Sequence, residues 1–245
     1  MNIRFRITDE TFFNNGRIIL SSMPEVEDSV RYAFSSEEEV VTATRNNRGI
    51  ESIGVTAASL NEALRRCLNA EGFSGETHVE HGVFFEDTKE GFDFMLYDED
   101  YNIANLFNYY QGKVGVLNGN ERILDVYSKI GMTEVEWQTR IHQMELETEP
   151  NDDYHCDKTS LTVAGELQFG NWALLYRDLF RLLKAVDNPG VDMYIYVAAD
   201  DNLSNLLSKQ TVSYSQAKRV IEEYNSIIKT PIWLIALGME TIENI

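Results

Sequence analysis

Three side chains in the second half of the chain are placed to do chemistry: Asp157, Glu166 and Gln168. They lie in the stretch Asp157-Lys158-Thr159-Ser160-Leu161-Thr162-Val163-Ala164-Gly165-Glu166-Leu167-Gln168. Leu161, Val163 and Leu167 are spaced as in a strand. Residues i and i+2 of a strand share a face, so Glu166 and Gln168 emerge side by side. A hairpin or bent strand pair over 157–168 would return Asp157 to the same end. Two carboxylates and an amide oxygen would then converge, which makes a site for a hard cation.

The rest of the chain must position that stretch. Its 245 residues suffice for one large α/β domain or two small ones. The hydrophobic content of 43% and charged content of 25% are ordinary for a globular protein. No apolar run reaches the roughly 20 residues that span a bilayer, and Met1-Asn2-Ile3-Arg4-Phe5-Arg6 lacks a signal-peptide core. Cys67 and Cys156 are the only cysteines, so a reduced, cytoplasmic setting is expected. The net charge of −19 opposes a nucleic-acid partner. It is unevenly spread: residues 1–156 carry 13 Lys+Arg against 29 Asp+Glu (−16), and 157–245 carry 8 against 11 (−3).

Small strands and loops are expected over residues 1–55. Ala57–Leu68 reads as a helix, with Leu60, Ala63, Leu64 and Leu68 at helical spacing and Gly72 beyond its end. Ser59 is its expected N-cap, with Glu62 at capping-box spacing. Gly82–Phe85 and Phe92–Tyr97 read as a hairpin around Glu86–Gly91. Helices are expected at Asn102–Tyr110, at Glu121–Ile130 with Gly131 as stop, at Asn171–Ala185 and at Val212–Ile228. In the third, Ala173, Tyr176, Phe180 and Leu183 are assigned inward, and Arg177, Arg181 and Lys184 to another face. In the fourth, Ala217, Ile221, Tyr224 and Ile228 are inward. Val191–Ala198 and Ile232–Leu237 are strands, with Asp200–Thr211 a polar loop. The pattern predicts an α/β fold, a mixed sheet flanked by helices.

Asp157, eight residues, then Glu166-Leu167-Gln168-Phe169 and a helix resembles the active-site block of the PD-(D/E)xK nucleases. The match is to the D-x8-E-x-Q form found in the BglII-like branch of type II restriction endonucleases. Phe169-Gly170-Asn171-Trp172 resembles that block's continuation. Ser213-Tyr214-Ser215-Gln216-Ala217-Lys218 and Pro231–Gly238 resemble its later helix and closing strand. The resemblance implies a restriction-endonuclease-like catalytic core at 116–245 with an N-terminal elaboration at 1–115, the latter contributing to the core from about residue 50. It implies Mg²⁺ held by Asp157, Glu166 and the Leu167 backbone carbonyl, with Gln168 beside the attacking water. It implies DNA contacts at Asn171 and at the loop Lys209-Gln210-Thr211; apart from the resemblance, Arg177, Arg181 and Lys184 on their shared helix face could hold phosphates. The implied activity is cleavage of double-stranded DNA at a short palindrome, leaving 5′-phosphates, by a homodimer.

Each assignment has a plainer counterpart. An acid pair beside a strand is commonly solvated surface, Asn171 suits a helix N-cap, and Arg177 has Asp178 beside it. The resemblance allows a further acid on the helix that opens the core, either Glu62 or Glu121. If Ala57–Leu68 is that helix, residues 98–150 are an insertion. His78-x-x-His81, His155-Cys156-Asp157, Asp98-Glu99-Asp100 and Asp200-Asp201 do not complete a metal site. No GxxxxGK[ST], GxGxxG or GxSxG occurs. Two other readings remain: a structure-selective or repair nuclease on the same core, and a non-enzymatic acidic DNA mimic.

Overall fold

The computed structural model describes all residues except 48–49, 81–82, 87–90, 114, 147–152, 186–189 and 243–245. In chain order the elements are β1 (Asn2–Phe13), α1 (Gly16–Ser21), α2 (Pro24–Ala33), β2 (Glu37–Glu39), β3 (Thr42–Asn47), β4 (Ile50–Val55), α3 (Ala57–Ala70), β5 (Ser74–Glu80), β6 (Val83–Glu86) and β7 (Phe92–Leu96). They continue as α4 (Glu99–Gln111), α5 (Gly119–Val126), a 3₁₀ turn at Tyr127–Ile130, α6 (Glu134–Gln143), β8 (Val163–Gln168), α7 (Ala173–Ala185), β9 (Met193–Ala199), α8 (Asp201–Leu206), α9 (Tyr214–Tyr224) and β10 (Ile232–Thr241). No helix among the described residues is long and apolar enough to cross a membrane.

Eight strands form one mixed sheet in the order β2-β1-β10-β9-β8-β7-β5-β6, and β3-β4 form a separate ribbon. β8, β9 and β10 are mutually parallel, while β7 meets β8 antiparallel. β8 and β9 are buried along their whole length, as expected of central strands covered on both faces. Strand alternation sorts the core. Val163, Leu167, Met193, Ile195, Val197, Trp233 and Ile235 pack with α2 and α3 on one face. Ala164, Tyr194, Tyr196, Ala198, Leu234 and Ala236 pack with α7 and α9 on the other. A third cluster joins α4, α5 and α6 to Val83 of β6.

Several expectations give way here. The division at residue 115/116 crosses the sheet, because β5, β6 and β7 from before it join β8, β9 and β10 from after it. The N-terminus is likewise part of the core: β1 pairs antiparallel with β10 from Ile3–Thr241 to Phe13–Ile232. β6 and β7 do not form a hairpin, because β5 lies between them and pairs with both. The residues expected to turn there, 87–90, lie outside the described ones. The Asp200–Thr211 loop contains α8, capped by the Asp200 side chain accepting from Leu203 N–H. The expected 121–130 helix breaks into α5 and the 3₁₀ turn, with Leu124 exposed. α6 was not expected from the sequence.

Helix ends follow their local chemistry. The Thr56 side chain, not Ser59, caps α3 by accepting from Ser59 N–H, while Ser59 Oγ accepts from Val41 N–H. Ser213 and Gln216 form a complete capping box on α9. The inward face of α7 is Leu175, Leu179, Leu182 and Ala185, one position away from the expected set, and Phe180 is 66% exposed. Leu175, Leu179 and Leu182 are themselves at helical spacing, and Asp178 is buried on the same face. In α9, Ala217 and Ile221 are buried as expected and Tyr224 is half-buried; the helix ends at Tyr224, so Ile228 is buried beyond it.

Candidate active site

The β7–β8 ladder runs Leu96–Val163, Met95–Ala164, Phe94–Gly165. One step further the same register sets Asp93 opposite Glu166, on the face shared with Gln168. The ladder changes character at this point. The Leu167 N–H donates to Asp93 Oδ2 at 2.8 Å rather than to a main-chain carbonyl. Beyond the end of the ladder lies a cavity of about 250 Å³, lined by α3, β5, β7, β8 and α7. Asp93, Glu166, Leu167 and Gln168 line it, with Asn61 and Arg65 from α3, Glu76 from β5, and Arg177, Asp178 and Arg181 from α7.

Opposite charges lie in contact throughout the cavity. Arg65 reaches Glu76 Oε1 at 2.6 Å and Asp93 Oδ1 at 2.9 Å. Arg181 is paired with Glu166, and Arg177 grips Asp178 Oδ1 through Nε and Nη2. Glu166 is 4% exposed and Asp178 1% exposed. Burial, then the charges of Asp178 and Asp93, push the Glu166 carboxyl well above the usual carboxylate range, against the pull of Arg181. Burial also raises Asp178, opposed by Arg177. Gln168 is fixed at both ends of its amide, with Nε2 donating to Asp178 Oδ2 at 2.8 Å and Oε1 accepting from Gly170 N–H at 3.0 Å. Asn61 Oδ1 and Arg65 Nε, one helical turn apart, are buried without a hydrogen-bond partner.

Of the three residues read as catalytic, Glu166 and Gln168 meet in this cavity and Asp157 does not. The side chain of Asp157 is 90% exposed and contacts His155 Nε2 at 3.1 Å. The bent pair expected over 157–168 is absent: β8 begins only at Val163 and runs extended, so Asp157 is left at the end away from Glu166. Asp93 occupies the place expected of Asp157, from a strand 70 residues earlier in the chain. Its signal in the sequence is a single acid inside the apolar strand Phe92-Asp93-Phe94-Met95-Leu96. Asp157→Ala is therefore expected to cleave DNA at the wild-type rate; loss of cleavage in a normally folded Asp157→Ala protein would return that residue to the site.

α3 is the helix that borders the site, through Asn61 rather than the expected acids. Glu62 is 76% exposed and paired with Arg66, and Glu121 is exposed on α5. α4, α5 and α6 thus lie in the chain between β7 and β8, as the insertion expected if α3 opens the core. Asp98 ties its base by accepting from Thr159 N–H and Oγ1. Of the dismissed pair His78 and His81, the second lies outside the described residues.

The expected DNA-contacting residues assemble into a rim beside the cavity. Asn171 Oδ1 caps α7 by accepting from Ala173 N–H, and its Nδ2 donates to Gln210 Oε1 at 3.2 Å. Trp172 N–H donates to the Gln210 carbonyl. Asn171, Lys209 and Gln210 are exposed. Thr211 is not available for contact: it is 7% exposed and its hydroxyl donates to the Phe169 carbonyl. Arg177 is 55% exposed beside its partner Asp178.

The donor set fits a hard divalent cation. Asp93 and Glu166 offer carboxylate oxygens from opposed strands, and the Leu167 carbonyl, which accepts from Phe169 N–H at 3.2 Å, has a second lone pair. No three His, Cys, Asp or Glu side chains gather as a metal cage among the described residues. The charges of Asp178 and Asp93 that raise the Glu166 carboxyl are the charge such an ion would compensate.

A mixed sheet with an acid pair at the diverging ends of two central strands, between helices on either face, defines a restriction-endonuclease-like fold. The sequence model of the family described as "Restriction endonuclease BglII/BglIII" matches residues 8–237, and the chain belongs to that family. It is accordingly a type II site-specific deoxyribonuclease. Among solved structures, restriction endonuclease BglII complexed with a DNA 16-mer is similar at a TM-score of 0.50 and 13% identity, covering 96% of this chain and 76% of that one. Free BglII is similar at 0.45 and 13%, covering 100% and 82%. No curated protein sequence matches the chain.

Proposed function

We propose that this restriction endonuclease cleaves double-stranded DNA at a short palindromic sequence by Mg²⁺-dependent hydrolysis, leaving 5′-phosphate and 3′-hydroxyl ends. The observation carrying this reading is the opposition of Asp93 and Glu166 across β7 and β8, with Gln168 two residues on in the same cavity. Asp93, Glu166 and the Leu167 carbonyl would hold the Mg²⁺. Bound there, the ion would supply an activated water and a Lewis acid for the scissile phosphate.

The protein's own side chains do the rest. Gln168 cannot act as a base; with its amide fixed by Asp178 and Gly170 N–H, it orients a water by hydrogen bonding. Asp178 fixes that orientation from beneath. Asn171, Lys209 and Gln210 face the duplex from the rim, and an Asn or Gln amide there is suited to bidentate contact with adenine. A homodimer matches two-fold DNA symmetry. It is supported by an apolar surface on α7 and α9, where Phe180 and Ile227 are exposed beside Tyr224.

The test is incubation with unmethylated phage-sized duplex DNA in Mg²⁺ and in EDTA. Discrete fragments in Mg²⁺ alone are expected, and sequencing their ends gives the site and the overhang. A smear would replace site specificity with nonspecific or structure-selective cleavage. Intact DNA, without a gel shift in Ca²⁺, would overturn the reading.

A further inference from the structure

Arg181 stands between two cavities of opposite character. On one side is the catalytic cavity, where it pairs with Glu166. On the other is a larger cavity of about 530 Å³, lined by His78, Phe92, Arg177, Phe180 and Lys184 as well as Arg181 itself. The guanidinium lies over the Phe92 ring, 5.6 Å from its centroid, and that ring borders the second cavity. An aromatic face holds a cation without fixing its direction, so the side chain can turn from one cavity to the other while keeping this support.

We propose that Arg181 is an exchangeable counterion that holds the Glu166 carboxylate while no metal is bound and moves to a DNA phosphate in the adjoining cavity when one is. This rests on the reading of Asp93 and Glu166 as the cation site. Its basis is competition for the same oxygens. A 4%-exposed carboxylate needs a counterion to stay charged, and a guanidinium and a divalent cation cannot both take Glu166 Oε1. Displaced, Arg181 is itself a partly buried cation in need of an anion, and Arg177 and Lys184 make its second cavity attractive to phosphate. Metal and DNA then favour each other's binding, since each takes one member of the pair.

The experiment measures Mn²⁺ binding by the EPR signal of the free ion, without DNA. Wild type, Arg181→Met and Glu166→Gln are compared, with circular dichroism to verify folding. Arg181→Met is expected to bind Mn²⁺ roughly tenfold or more tightly than wild type, and to bind duplex DNA in Ca²⁺ more weakly. Arg181→Lys, which keeps the charge but not the fork, should gain Mn²⁺ affinity by a smaller factor, and it carries the test if the Met variant does not fold. Unchanged or weaker Mn²⁺ binding in a folded Arg181 variant overturns the exchange, provided Glu166→Gln has lost the ion. If Glu166→Gln binds Mn²⁺ as wild type does, the cation site itself is misplaced and the proposal falls with it.

Discussion

Asp93→Asn is expected to lower DNA cleavage by at least ~10³-fold, about 4 kcal/mol of lost transition-state stabilisation. The substitution separates chemistry from structure. Asn retains one oxygen to accept the Leu167 N–H that Asp93 Oδ2 now accepts, so the end of the β7–β8 ladder stays satisfied, while its amide nitrogen replaces the oxygen that accepts from Arg65, which keeps Glu76. It removes the charge that, with Glu166, would hold the metal, and no neighbouring side chain replaces it: Glu76 is engaged by Arg65 and Asp178 by Arg177 and Gln168. Asp93→Ala should be as inactive and less stable, because it also leaves the Leu167 N–H without its acceptor. The measurement is single-turnover cleavage of a plasmid in Mg²⁺, with a thermal melt for each variant. An Asp93→Asn protein cleaving within tenfold of wild type would sink the assignment. Set beside the unchanged activity expected of Asp157→Ala, it decides which aspartate belongs to the site.

Gly165→Val should destabilise the fold by about 2–3 kcal/mol through overpacking, a fall of roughly 4–12 °C in Tm for a chain of this size. A Cβ at Gly165 would stand 2.0 Å from the Phe94 ring. Phe94 is the cross-strand partner of Gly165, fully buried, and stacked edge-on against Phe73 with centroids 5.6 Å apart. The ring has no space into which to withdraw, so the strands must separate. Because Asp93 and Glu166 flank this pair, separation also spoils the carboxylate geometry, and cleavage should fall with stability. A Gly165→Val protein melting at the wild-type temperature would show that the β7–β8 contact is looser than described.

Charge in the cavity links these predictions. Glu76, Asp93, Glu166 and Asp178 face Arg65, Arg177 and Arg181, so the side chains of the cavity are close to neutral in sum despite a chain net charge of −19. The acid excess that opposed a DNA-binding reading therefore does not describe the site. Local pairing, rather than the total, sets the potential that a phosphate meets there.

The sequence by itself determined the local parts. The apolar run ending in Glu166-Leu167-Gln168 specified a strand that places Glu and Gln on one face, and β8 does so. The strand–helix–strand–helix–strand order after it specified a mixed α/β sheet, and the D-E-x-Q block with its later companions pointed to the right family. Those inferences used contacts within a few residues, where strand and helix periods leave little freedom. The tertiary structure decided which acid joins Glu166. Asp157 had the right spacing along the chain, but its carboxylate never turns back, whereas Asp93 arrives through a ladder formed across the α4–α6 insertion. Backbone hydrogen bonds between strands carry no residue identity, so a β7–β8 pairing 70 residues apart leaves no local trace. The same holds for β1 closing on β10, for Asn61 and Arg65 reaching the cavity from α3, and for Arg181 finding Glu166. Each joins segments distant in sequence, and only packing of the whole sheet brings them together.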